Sequence, residues 1–228
     1  MEFSRFELLV GKNIDKIRNL NVLILGVGGV GGYAAESLAR CGVNNITLVD
    51  YDTIDITNIN RQIIALHSSM GKKKVDVLKE RILDINPNCN VIVLDTFYEN
   101  DNKDIIFSNH LDYIFDCCDT ISSKELVIRE AVKRNIKIIS SMGAGYKLDP
   151  SKIKITKLKK TDYDKLAKIL RYKLKDSKEC LEIPVVYSTE VFNKTSDVIA
   201  SNSYIPSIFG LYMTSFLVRD VLENRDEI

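Results

Sequence analysis

Short runs of β-branched and aliphatic residues alternate along the chain with segments whose apolar positions recur every three or four residues. Asn21–Leu25 (NVLIL) is apolar nearly throughout, as expected of a strand covered on both faces. Val30–Cys41 then reads as a helix and Ile46–Val49 as a second strand. Val75, Leu78, Ile82 and Ile85 fall on one face of a helix over Lys72–Ile85. Val91–Leu94, Tyr113–Phe115 and Lys137–Ser140 predict further strands, with a helix over Ser122–Arg134. This alternation implies an α/β fold with a mostly parallel sheet and helices on both faces. After Gly145 the pattern changes. Lys152–Leu158 reads as a strand, Asp164–Lys175 as a basic helix, Pro184–Tyr187 as a strand and Ser207–Leu222 as a closing helix. No repeat or low-complexity linker interrupts the chain. The expectation is a single domain over 1–228, with a core over 1–146 and a basic elaboration and closing helix over 147–228.

Composition narrows the class. Of 228 residues, 45% are apolar and 28% charged, ordinary values for a globular chain. Cysteines at 41, 89, 117, 118 and 180 are odd in number and form no CxxC pair. That argues against a disulfide framework or structural zinc and for a reduced, cytoplasmic setting. The start, MEFSRFELLVGK, has no apolar stretch of signal-peptide type. Val198–Val218 is uncharged, but Ser201, Asn202, Ser203, Pro206 and Ser207 make it a packed loop and buried helix rather than a membrane span. The net charge of +1 conceals an asymmetry. Lys147–Lys178 holds twelve basic and four acidic residues, a local +8; the remaining twenty basic and twenty-seven acidic residues sum to −7. An acidic body with a basic segment suits a polyanionic partner, although a solvated lysine face gives the same count.

Gly26-Val27-Gly28-Gly29-Val30-Gly31 joins the first strand to the first helix. Glycines allow a tight turn and close approach to phosphates, and a helix N-terminus offers free N–H groups. The doubly wound sheet is therefore expected to be Rossmann-like. Asp50 ends the second strand, where an acid can accept hydrogen bonds from ribose hydroxyls. The loop alone does not separate NAD from ATP. Asn58, Arg61 and Lys74 suit a polyphosphate clamp, because Arg offers a planar fork and Lys a point charge. Asp119 is expected to end the fourth strand at the sheet edge where ligands bind, and a carboxylate there can hold Mg²⁺; Asp116 is the other candidate ligand.

Together these residues resemble the adenylylating superfamily of ubiquitin-activating E1 and the bacterial sulfur-carrier activators. The shared features are GxGGxG at Gly26–Gly31, the D-x-D of Asp50 and Asp52, N-x-N-R-Q at Asn58–Gln62, G-x-x-K at Gly71–Lys74 and D-x-x-D at Asp116–Asp119. The resemblance implies binding of Mg²⁺ and ATP and attack of a substrate carboxylate on the α-phosphate. By position it implies that Asp50 binds ribose, that Asn58, Arg61 and Lys74 hold the phosphates, and that Asp119 holds the metal. Arg5 matches the arginine that the family extends across a homodimer interface into the partner's site. Within the superfamily the chain is most similar to the tRNA threonylcarbamoyladenosine dehydratases. Arg5–Gly11 (RFELLVG), Thr57–Gln62 (TNINRQ), Glu80–Pro87 (ERILDINP), Ser140–Pro150 (SSMGAGYKLDP), Leu166–Lys168 and Val185–Glu190 (VVYSTE) carry that similarity. It implies a substrate carboxylate on N6-threonylcarbamoyladenosine at position 37 of tRNA, and ring closure with net loss of water. Some relatives also use a sulfur-acceptor protein partner.

Three other readings stand beside this one: an activator of a ubiquitin-like sulfur carrier, an NAD-dependent oxidoreductase, and a non-catalytic tRNA-binding module. The missing CxxC pairs and the basic segment count against the first. Arg61, Lys74 and Asp119 are unneeded in the second, and the intact clamp counts against the third. E1-type transfer needs an acceptor thiol, but Cys180 reads as part of a charged loop, Asp176–Glu182, with no base beside it. A tethered nucleophile needs no such thiol. For the basic segment, Lys157, Lys159, Lys160, Lys165, Lys168 and Arg171 are the candidate tRNA contacts, with Tyr163 and Tyr172 among them.

Overall fold

The computed structural model describes residues 2–191 and 198–223. Two short helices, α1 (Ser4–Val10) and α2 (Ile14–Arg18), lead into β1 (Asn21–Leu25), α3 (Gly31–Arg40) and β2 (Asn45–Val49). Then come α4 (Lys74–Ile85), β3 (Asn90–Leu94), β4 (Tyr113–Asp116), α5 (Ile121–Lys133) and β5 (Lys137–Ser141). The chain continues with β6 (Ile153–Lys157), α6 (Lys165–Lys173), α7 (Lys178–Glu182), β7 (Pro184–Ser188) and α8 (Tyr204–Glu223).

The seven strands form one sheet in the order β3-β2-β1-β4-β5-β7-β6. Every pair is parallel except β6 with β7. The expected α/β, Rossmann-like architecture is thus what forms. Along β1, Val22 and Ile24 join one core while Leu23 and Leu25 join the other. That is the period of two of a strand buried on both faces, and it explains the unbroken apolar run. One core packs α2, α3, α4 and α8 on the sheet; the other packs α5, α6 and α7. β1 pairs with β2 on one side and β4 on the other, with Leu25 opposite both Val49 and Asp116. The connections leave in opposite directions there, which opens a crevice beyond the strand ends. Residues after 147 supply β6 and β7 to this sheet and α8 to the first core.

α8 has the length and apolarity of a membrane span, yet Ile205, Phe209, Met213 and Leu217 are fully buried in the core. Gly210 makes its close seat on α3 possible, since a Cβ there would lie 2.4 Å from the Val30 carbonyl oxygen. α8 begins at Tyr204 rather than Ser207, because Asn202 Oδ1 accepts the N–H groups of Tyr204 and Ile205. α4 begins at Lys74 rather than Lys72, because Lys73 is bridged to Thr53 in extended form. Cys180 lies not in a loop but in α7, which Ser177 caps, and its thiol is buried.

Asp116 and Lys124 have essentially no access to water. Lys124 Nζ lies 2.9 Å from Asp116 Oδ2 and 3.3 Å from Ser140 Oγ, and the Ser140 hydroxyl donates to the same carboxylate oxygen at 2.5 Å. Burial alone would drive the ammonium toward its neutral form; the carboxylate outweighs it and keeps Lys124 charged. This trio ties α5 to β4 and β5 directly beneath the crevice, and it accounts for Asp116 as a structural residue. Removing one partner strands a buried charge. Lys124→Met is expected to lower stability by about 3–5 kcal/mol in a urea titration, while Lys124→Met with Asp116→Leu recovers more than half of the loss.

Candidate active site at the strand ends

The glycine loop is compressed. Gly26 adopts φ +86°, and a Cβ there would meet the Cys118 backbone nitrogen at 2.9 Å. At Gly31 a Cβ would fall 1.8 Å from the Gly26 carbonyl oxygen. Only glycine fits either place. Among the described residues, the N–H groups of Gly28, Gly29 and Val30 have no hydrogen-bond partner, and they stand where α3 begins. Such a cluster at the positive end of a helix is built for an anion. Arg61 and Pro206 crowd Gly29, and the Gln62 amide lies 3.6 Å from the Cβ position of Gly28.

Asp50 braces this loop. Its Oδ2 accepts the Val27 N–H at 2.8 Å and its Oδ1 the Asp52 N–H at 2.9 Å. Burial raises its pKa, opposed by those two N–H groups and by the charge of Lys74. Asp52 in turn holds Lys74, with Nζ 2.6 Å from Oδ2. The Lys74 side chain is only 7% exposed at the first position of α4, whereas Asp52 is half-exposed. Asn58 is buried and its Oδ1 accepts the Asp55 N–H at 3.1 Å, which shapes the turn that carries Arg61. The Arg61 guanidinium donates to the Thr57 carbonyl at 2.8 Å and to Asn60 Oδ1 at 3.1 Å. Asn60 also donates to the Ser201 carbonyl, so the turn is fastened to the approach of α8. Gln62 was visible in the sequence motif without a role. It is buried, and its Oε1 has no partner among the described residues.

Asp119 does not end β4, which stops at Asp116 where the chain turns against Gly26; it is exposed on the loop that follows. It shares a neighbourhood with Asp52 and Asp50, because the Tyr51 phenol pKa is raised by Asp52, by slight burial, and then by Asp119 and Asp50. Tyr51 stands edge-on to Phe97 with centroids 5.1 Å apart. Sequence reasoning missed both rings, since neither lies in a motif. Among the described residues no cluster of three His, Cys, Asp or Glu is arranged to hold a metal. A single exposed carboxylate does fit Mg²⁺ borne by a polyphosphate, which takes one or two carboxylates and completes its shell with phosphate oxygens and water.

Arg5 is not brought to this crevice within its own chain. It is exposed on α1, two residues after Phe3, whose ring lies 3.6 Å from the Cβ position of Gly42. Gly42 follows the far end of α3, about 15 Å from the glycine loop by helix length. Leu8 and Leu9, beside Arg5, are 87% and 78% exposed.

The basic segment divides in two. Lys157 and Lys159 both pair with Glu182, at 2.9 Å for Lys157, and the two ammoniums pull the Glu182 carboxyl down to about 2. Arg171 bonds to Thr161. Lys160, Lys165 and Lys168 are exposed and make no ion pair among the described residues. Asp164 caps α6 through the Ala167 N–H at 2.9 Å and also accepts the Gly143 N–H at 3.1 Å. That second bond fastens the basic helix to the loop that follows β5 at the crevice. Burial pushes up the thiols of Cys117 and Cys118, whose backbone packs against Gly26. His110 pairs with Asp112 at the opposite end of β4, and His67 lies exposed in a short turn.

A sequence model of the ThiF family matches residues 4–210. The chain is 42% identical to the tRNA threonylcarbamoyladenosine dehydratase of Bacillus subtilis, over 98% of this chain and 95% of the relative. It is 39% identical to the Escherichia coli enzyme of the same name over 78% of this chain and 69% of the relative. The crystal structure of that Escherichia coli enzyme, TcdA, in complex with ATP superposes with a TM-score of 0.93, covering 97% of this chain and 94% of the other at 34% identity. With the glycine loop, the Lys74–Asp52 pair and the Arg61 turn assembled on this fold, the chain belongs to the ThiF family, and within it to the tRNA threonylcarbamoyladenosine dehydratases.

Proposed function

We propose that this protein uses ATP to dehydrate N6-threonylcarbamoyladenosine at position 37 of tRNA, by adenylylating the threonyl carboxylate and letting the modification close on itself. The observation that carries the reading is the convergence of three unpartnered N–H groups, Lys74 and Arg61 at one crevice. The ATP complex of a relative with the same fold supports it.

In this reading the N–H groups of Gly28, Gly29 and Val30 cradle phosphate oxygens, and the remaining lone pairs of Asp50 receive the ribose hydroxyls. Asp52 holds Lys74 in a nearly dry position, from which the phosphates draw it. Arg61 moves from its backbone carbonyl to the triphosphate, and Asn58 keeps its turn in place. Asp119 would hold the Mg²⁺ that the nucleotide brings, which supplies positive charge to the phosphates. A carboxylate oxygen of the substrate attacks the α-phosphorus, the α–β bridge breaks, and pyrophosphate leaves. A nucleophilic atom of the same modification then attacks the acyl carbon and loses its proton. AMP departs with the former carboxylate oxygen, so the net change is loss of water. No enzyme thiol is required, which suits the buried Cys180 better than transfer to a protein carrier does. Arg5, exposed at the far end of α3, completes the site of the other subunit in a homodimer. The exposed Lys160, Lys165 and Lys168 contact tRNA phosphates, while Lys157, Lys159 and Arg171 frame them. Five free cysteines fit a reducing cytoplasm.

Incubation with ATP, Mg²⁺ and modified tRNA is expected to give a nucleoside lighter by one water, with release of pyrophosphate; an unchanged nucleoside mass sinks the proposal. Lys74→Ala and Asp119→Ala should each slow this turnover by about 100-fold or more, through loss of charge at the phosphates. Lys160→Glu with Lys165→Glu and Lys168→Glu should weaken tRNA binding and flatten its salt dependence by about one log–log unit per residue, with ATP affinity unaltered. Arg5→Ala and Lys74→Ala chains, each inactive alone, should regain turnover when mixed, because one site of the mixed dimer has both groups; no recovery places Arg5 outside the partner's site.

A further inference from the structure

Tyr163 is 67% exposed, yet its backbone is held in the left-handed region at φ +55°. The Asp164 N–H donates to the Asp162 carbonyl at 2.6 Å, closing a three-residue turn with Tyr163 at its centre. A positive φ at that place makes it the rare, strained form of the γ-turn, which a bulky residue occupies only when its surroundings enforce it. The surroundings do so. Asp162 Oδ1 accepts the Tyr187 hydroxyl at 3.2 Å on one side. On the other, buried Asp164 accepts the N–H groups of Ala167 and Gly143. Nothing in this arrangement uses the Tyr163 ring. The turn is anchored at both ends, its central residue disfavours the conformation, and glycine would relieve it.

The position is as telling as the strain. Through Asp164 and Gly143 the turn is fastened to the segment after β5, whose Ser140 pairs in register with Asp116 of β4. Tyr163 therefore stands at the same edge of the sheet as the crevice. The exposed cations Lys160 and Lys165 flank it in sequence, with Lys168 on the following helix face. The other exposed ring of this segment, Tyr172, is covered by Lys175, with Nζ 4.4 Å from the centroid. A free aromatic face among unpaired cations is the chemistry that receives an unstacked base between phosphates.

We propose that Tyr163 is a stacking platform for a base of the anticodon loop that flanks the modified adenosine, so that the ring orients the loop while the cations hold its backbone. This rests on the tRNA reading above. The test uses the full chain, an anticodon stem-loop carrying the threonylcarbamoyl modification and 2-aminopurine at the neighbouring loop position, and two variants. Tyr163→Gly is expected to raise the KM for the stem-loop by roughly 5- to 150-fold, the range for loss of one stacked base. It should also abolish the fluorescence change on binding and leave the salt dependence and the KM for ATP unaltered. Its melting temperature should be equal to or above that of the parent, because glycine suits the turn. Tyr163→Phe, which keeps the ring, should behave as the parent. Parental KM and fluorescence in Tyr163→Gly overturn the platform while leaving the tRNA reading standing; so does a Tyr163→Phe variant as impaired as the glycine one, since the hydroxyl would then be what matters. A parent protein that neither binds nor turns over the modified stem-loop overturns both.

Discussion

Where β4 and β5 end, three side chains without access to water share a single carboxylate oxygen: Asp116 supplies it, and Lys124 and Ser140 bond to it. The nucleotide-binding edge of the sheet hangs on this arrangement. Asp116 is the last residue of β4, and the backbone that follows it lies against Gly26, close enough to forbid a Cβ. The glycine loop is therefore pressed between the end of β2, where Asp50 accepts the Val27 N–H and Val49 the Gly26 N–H, and the turn that Asp116 anchors. A loop held from both sides keeps its free N–H groups in place before any ligand arrives, and this preorganisation is what makes a dipole site effective.

The motifs and the strands were legible because each is local. An apolar run of five residues, a glycine turn and an acid at the next strand end require no knowledge of distant parts. Lys124 was not legible, because a lysine in the run Ser122-Ser123-Lys124-Glu125 resembles a surface residue until the sheet brings Asp116 and Ser140 to it. α1 was missed because its seven residues carry little periodicity: Phe6 and Val10 alone face the core, while the equally apolar Leu8 and Leu9 point to solvent. α7 has only five residues, too few for periodicity. Tyr51 and Phe97 belong to no motif, and only the pairing of their segments reveals the edge-on contact.

The charge count needed the structure more than the motifs did. A segment of +8 suggests an evenly basic face, but folding returns part of it to Glu182 and Glu125. Among the described residues, the exposed cations left without an ion pair run along the segment, from Lys152 and Lys154 through Lys160, Lys165 and Lys168 to Lys178. The paired cations tie β6 and the turn after it to α7, and α6 to α5, rather than reach outward. The attraction a polyanion meets is thus weaker than the count of +8 suggests, and it is spread along the elaboration.

The seat of α8 on α3 has a temporal consequence. Thr214 bonds to the Ala34 carbonyl across 180 residues of chain. At ordinary rates of synthesis, about 9–36 s separate the emergence of these two partners from the ribosome. For that interval the helix behind the phosphate loop is without the cover that Ile205, Phe209, Met213 and Leu217 give it. The nascent chain therefore carries every nucleotide-binding motif well before it has a nucleotide site, and competence arrives with the closing helix.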